Sequence, residues 1–169
     1  MFEVLVYVYE NYWRGDACPE PQQLGRKLTA VGFEADEIQE ALRWLDGLHL
    51  ASHKAEHNLE PQLGTPPAQP ASSMLALPAT ESLRVYSVAE QDHLGAECLG
   101  FVSFLETAGI LAPSMREIVL DRAMAANGNP VTLDDLKIII LMVYWSFGEE
   151  PDALVLDELC DDASDRIAH

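Results

Sequence analysis

Positive charge, cysteine and long apolar runs are all scarce in this 169-residue chain, and each shortage removes a class of function. There are 10 Lys and Arg against 28 Asp and Glu, a formal net charge of −18. Such a surface repels phosphate backbones and anionic lipid headgroups, and any electrostatically steered partner must be basic. Cys18, Cys98 and Cys160 are odd in number and far apart, without C-x-x-C spacing. That pattern excludes a disulfide framework or a structural zinc knuckle, fits a reducing cytosol, and reads as three small buried hydrophobes. The most apolar run, Ile138 to Phe147 (IIILMVYWSF), is about half the ~20 residues needed to span a bilayer, so it reads as a buried core helix. The opening MFEVLVYVYENYW lacks a basic segment and carries Glu3 and Glu10, so it does not read as a signal peptide. No G-x-x-x-x-G-K-S/T, G-x-G-x-x-G or G-x-S-x-G stretch occurs, and Ser103, Ser146 and Cys160 have no base nearby in sequence. A cytoplasmic protein without cofactor, membrane span or catalytic motif is expected.

What the chain has is apolar content and helix signals. Its length suits one domain or two small ones, and 49% apolar residues can build a core. Residues 61–80, PQLGTPPAQPASSMLALPAT, hold five of the ten prolines and no charged residue. Proline lacks an amide donor and biases its predecessor away from helix, so this stretch reads as an extended tether. It divides an N-terminal helical unit, 1–60, from a C-terminal one, 81–169.

Three helices are expected before the tether. The first is Phe2 to Trp13, where β-branched and aromatic residues keep a strand open as an alternative. The second is Pro21 to Val31, with Leu24, Leu28 and Val31 on one face and Gly32 placed to stop it. The third is Ala35 to Leu48, with Ile38, Leu42 and Leu45 at helical spacing and Gly47 weakening its last turn. After the tether, the alternation of 83–87 (LRVYS) fits one short β-strand. Ser87 and Glu90 then have capping-box spacing ahead of a helix whose stripe is Leu94, Cys98, Phe101, Leu105 and Ala108, ended by Gly109. Ser114 and Glu117 repeat the device before a helix 115–126 that turns Met115, Ile118, Val119 and the stem of Arg122 inward. Thr132 and Asp135 open the apolar helix 133–147, and an acidic helix, 152–162, carries Leu156, Leu159 and Cys160. The expected fold is mainly α: a three-helix unit, helix-turn-helix-like over 22–46, and a four-helix unit, joined by the tether.

The stretch HKAEH, residues 53–57, matches the H-x-x-E-H metalloprotease pattern through His53, Glu56 and His57, and His49 extends the same face by one turn. Such an enzyme also needs a third protein ligand, second-shell partners and a rigid dry cleft. Here the motif follows a glycine-weakened helix end and stops four residues before Pro61, so a solvated helix end is the stronger reading, with His49 at the edge of the core. The helix-turn-helix reading meets a charge objection. The recognition helix would carry Asp36, Glu37, Glu40 and Asp46 against Arg43, with Arg26 and Lys27 the other cations, where phosphates and base edges need positive charge. Asp134–Asp135 lies where capping and the helix dipole already favour acids. Asp161–Asp162 lies in an acidic tail without EF-hand spacing.

The segments MFEVLVYVYENY, GFEADEIQEALRWLDGL, LRVYSVAEQDHLGAECLGFVSFLETAGIL, MREIVLDRAMA and LDDLKIIILMVYW together resemble the bacterial Smg family over nearly the whole chain. The resemblance implies a bacterial, cytoplasmic protein. It carries no assigned catalytic or ligand residues across, and HKAEH is not among the segments that carry it.

The leading expectation is a non-enzymatic interaction or regulatory module that binds another protein with a basic surface. Nucleic-acid association through the N-terminal unit is the first alternative, and a metal-dependent hydrolase built on HKAEH the second. From Glu149 onward eight acids face Arg166 alone. The acidic helix is expected to bury its leucine face on helix 133–147 and present Asp157, Glu158, Asp161 and Asp162 to the partner. A frayed, solubilising tail is the bland alternative.

Overall fold

A computed structural model describes residues 1–12, 21–59, 84–128 and 130–149. They form six helices: α1 (Phe2–Tyr12), α2 (Pro21–Val31), α3 (Ala35–Leu59), α4 (Val88–Thr107), α5 (Pro113–Met124) and α6 (Leu133–Phe147). The mainly α expectation holds. No helix among the described residues is long and apolar enough to cross a membrane.

The core is organised around α6. Every residue from Leu136 to Tyr144 is buried, as a helix apolar nearly all round requires, and α1, α3, α4 and α5 all pack against it. Its ends follow local rules. Thr132 caps the N-terminus by accepting from the Asp135 amide at 3.2 Å, and Gly148, at φ 65°, closes the C-terminus in the left-handed region. In α1, Val4, Leu5 and Val8 are buried at helical spacing, which removes the strand alternative; Trp13, expected in the same helix, lies outside the described residues.

The α2–α3 turn forms as expected. Gly32 takes φ 112°, and the amides of Gly32 and Phe33 both reach the Leu28 carbonyl at 3.2 Å. Tyr7 meets Phe33 edge-on at 5.7 Å, fixing α1 against this turn. Leu24 and Leu28 are buried, but Val31 is exposed, since the chain turns away before its position on the stripe reaches the core.

α3 departs most from expectation. It does not end at Leu48 but continues to Leu59. Gly47 costs helix propensity, yet it lies directly under Arg122 of α5, where any Cβ would collide with the guanidinium. A position that is weak locally is thus the place where α5 comes close. The buried line runs Ile38, Ala41, Trp44, Leu48 and Ser52, leaving Leu42 and Leu45 half-buried.

In α4 the Ser87–Glu90 capping box is present, but Gly95, at φ 71° and ψ 170°, breaks the helix direction. The expected stripe therefore changes line. Leu94, Cys98 and Leu105 are buried, joined by Leu99 and Val102, while Phe101 is half-buried and Ala108 exposed. Of the expected strand 83–87, Leu83 lies outside the described residues and 84–87 form no strand: Arg84, Tyr86 and Ser87 bond to side chains of α4 and α5, and no strand occurs among the described residues to pair with them. The Ser114–Glu117 box is a second correction: α5 starts from Ala112 without a side-chain cap and with Pro113 at its first turn. Glu117 is occupied instead with Arg84 and Arg116. The α5 face is as expected, with Met115, Ile118 and Val119 buried.

Helices from both sides of 61–80 share one core, from Val4 and Leu28 to Val119 and Tyr144. Polar links cross the same boundary: Trp44 Nε1 donates to the Arg122 carbonyl at 3.0 Å, and Ser52 Oγ lies 2.8 Å from Ser146 Oγ. Residues 61–80 and the expected helix 152–162 lie outside the described residues.

Candidate functional site

The residues expected to bind a partner, Asp157, Glu158, Asp161 and Asp162, lie outside the described residues. Their expected dock, α6, is packed by α1, α3, α4 and α5. What the structure does describe is how the neighbouring half of the chain uses its own cations.

Arg84, just before the α4 capping box, donates to Glu90 at 2.8 Å and to Glu117 at 2.9 Å. Arg116 donates to Glu117 at 2.7 Å and also binds Glu106. Arg122 pairs with Asp121 at 2.7 Å, and Lys137 is buried at 5% exposure. Two guanidinium groups and three carboxylates thus form one network joining residue 84, α4 and α5. Its energetic footprint falls on Glu90. Hydrogen bonds from the Arg84 guanidinium, then from the Ser87 amide, pull its carboxyl down to about 2. Burial works against the Arg84 charge, but its bonds to Glu90 and Glu117 outweigh that and hold its pKa above the ordinary value. Residues 33 apart in sequence form this network, so no short motif announces it; capping-box spacing points only to Glu90.

The exposed cations among the described residues sit on α2 and α3: Arg26, Lys27, Arg43 and Lys54. Lys27 lies 5.2 Å from the centre of the Tyr12 ring. Arg43 shares α3 with exposed Asp36 and Asp46, so the charge objection to a DNA-reading helix stands in three dimensions too.

The histidines of the metal pattern are on α3. His49 is exposed rather than at the edge of the core, because the buried line passes through Trp44, Leu48 and Ser52. His53 is exposed as well, and the two rings meet edge to face at 4.4 Å. Glu56 and His57 are on the same helix, with side chains outside the described residues. Among the described residues no three His, Cys, Asp or Glu side chains gather as a metal-binding group.

The other candidate groups have structural employment. Thr132 Oγ1 caps α6 by accepting from the Asp135 amide, and the Asp135 carboxylate accepts from the same hydroxyl at 2.7 Å. Ser146 Oγ donates to the Val143 carbonyl at 2.7 Å, and Ser103 Oγ pairs with the Tyr86 hydroxyl at 3.1 Å. Cys98 is buried 3.5 Å from the Val131 carbonyl. Burial, with the Glu97 and Asp135 charges adding, pushes its thiol up to about 11, which makes it a poor nucleophile. Cys18 and Cys160 lie outside the described residues.

The whole chain, residues 1–169, matches the family described as "Protein of unknown function (DUF494)". It is 57% identical over 169 residues to "Protein Smg homolog" of Leptothrix cholodnii, with both chains fully covered. The proteins of the same description from Methylibium petroleiphilum and Herminiimonas arsenicoxydans are 54% and 45% identical, again over the full length of both chains. No solved structure matches the chain. With full-length identity at this level, and the family's pattern spanning the whole sequence, the chain belongs to the Smg family.

Proposed function

We propose that this protein is a non-enzymatic, cytoplasmic interaction or regulatory module that binds another protein through that partner's basic surface. The supporting observation is the commitment of cations beside the acidic terminus. Residues 149–169 hold eight acids and Arg166. In 81–148 the four cations are Arg84, Arg116, Arg122 and Lys137; three are held by Glu90, Glu106, Glu117 and Asp121, and the fourth is buried. The cations of 81–148 are thus committed within the fold, and the uncompensated acids of 149–169 favour a basic partner. Of the candidate nucleophiles Ser103, Ser146 and Cys160, the two serines are hydrogen-bonded within the fold, which favours binding over catalysis.

Affinity purification with crosslinking at low salt identifies the partner, and association kinetics with the purified pair test the mechanism. Changing Asp157, Glu158, Asp161 and Asp162 to their amides should slow association and flatten its salt dependence while circular dichroism stays unchanged. Unaltered kinetics in the fourfold variant would reject this surface. A steeply salt-dependent gel shift with DNA, and no protein partner, would favour nucleic-acid association instead.

A further inference from the structure

His49 and His53 are the remaining described groups of a sequence motif that the partner-binding reading leaves unused. The sequence objection to them is mechanical: a metal site at a fraying helix end would be poorly held. The structure removes that objection. α3 continues without interruption through Leu59, and the residue before each histidine is an anchor. Leu48 is 1% exposed and Ser52 4%, and Ser52 Oγ lies 2.9 Å from the Leu48 carbonyl and 2.8 Å from Ser146 Oγ of α6. The stretch of backbone carrying both histidines is therefore clamped onto the core.

We propose that His49 and His53 form a two-point site for a borderline divalent transition-metal ion, of the Cu2+, Ni2+ and Zn2+ class. Residues four apart on a helix bring their Cβ atoms to about 5–6 Å, and the two rings already meet at 4.4 Å between centroids. An ion with metal–nitrogen bonds of about 2.0–2.1 Å can bridge two imidazoles at that separation. Both side chains are exposed, and a metal that turned the rings out of their edge-to-face contact would take one nitrogen from each. Exposed Asp46, one turn before His49, and the net charge of −18 favour a cation there. Imidazole donors select Cu2+ over Ni2+ and Zn2+, and all three over Mg2+ and Ca2+. With two protein donors, water completes the coordination shell. The site binds a metal on an open surface, without the third ligand and dry cleft a hydrolase needs.

The test is titration of chelator-washed, full-length protein with Ni2+, followed by calorimetry and by the shift in melting temperature, in the wild type, His49→Ala, His53→Ala and the double variant. Both positions are exposed on a helix and alanine is a strong helix former, so the variants should fold. One saturable Ni2+ site is expected, weakened about tenfold or more in each single variant, with the thermal shift abolished in the double variant and Mg2+ without effect in any of them. Equal Ni2+ affinity in wild type and double variant would place the metal elsewhere and overturn the proposal. Absence of binding by wild type at millimolar Ni2+ would also overturn it. Cu2+ gives an independent readout: nitrogen hyperfine structure from two imidazoles should be present in the wild type and lost in the double variant.

Discussion

The indole Nε1 of Trp44 in α3 donates to the main-chain carbonyl of Arg122 in α5 at 3.0 Å, across 78 residues of sequence. That carbonyl is in the last turn of α5, where Ala125 reaches back to Asp121 and Ala126 pairs with Ala123. The tryptophan thus serves one of the carbonyls that a helix end exposes, while its ring is buried at 4% exposure. Trp44→Phe removes the donor and should cost about 1–3 kcal/mol. Trp44→Ala also opens a cavity and should cost about 3–5 kcal/mol. Urea midpoints at constant m-value separate the two; a loss near zero in Trp44→Phe would mean that the hydrogen bond contributes nothing.

Gly47, one turn along, makes a coupled prediction with Arg122. Alanine at this helical position should gain about 1 kcal/mol of propensity. In the native protein its methyl group would displace the Arg122 guanidinium, which pairs with Asp121. In an Arg122→Ala background the full gain should appear, and with Arg122 present it should shrink or reverse. A double-mutant cycle with zero coupling would refute the contact.

Glu90 gives a pH dependence whose sign is determined. Its carboxyl is drawn down to about 2 in the folded protein from an ordinary value of 4.5. The folded state therefore binds fewer protons in that interval, and the stabilisation, complete above about pH 5, is lost as pH falls toward 2. Glu90→Gln should destabilise by about 1–3 kcal/mol at pH 7 and flatten the acid limb. A constant difference between variant and wild type down to pH 2 would contradict the assignment.

Caps discriminate between the two helix starts. Thr132 accepts the Asp135 amide, so Thr132→Ala should cost about 1 kcal/mol and Thr132→Ser close to nothing. Ser114, despite identical spacing to Glu117, is exposed and makes no cap; Ser114→Ala should leave the melting temperature within error. A loss at Ser114 matching that at Thr132 would show that Pro113 does not begin α5.

The difference between Thr132 and Ser114 shows where sequence reading runs out. Both have an acid three residues on, but at α5 Pro113 already supplies the first turn, and Glu117 is recruited by Arg84 and Arg116. The candidate site behaved alike. HKAEH was legible as a pattern and His49 and His53 as neighbours on a helix. Whether that helix was anchored depended on Ser146, 94 residues from Ser52.

By itself the sequence determined features governed by a few adjacent residues: the start of α6 at Thr132, the turn at Gly32, and a core helix in Ile138 to Phe147. It also carried the family, whose pattern extends along the whole chain. Tertiary structure alone decided the passage of α3 through Gly47, the change of line at Gly95, the Arg84–Glu117–Arg116 network and the packing of the N-terminal helices on α5 and α6. Local signals act through backbone dihedrals and capping bonds within one turn. These other features depend on which surfaces the apolar burial of α6 brings together, and contacts between residues 33 to 94 apart leave no periodic trace in the chain.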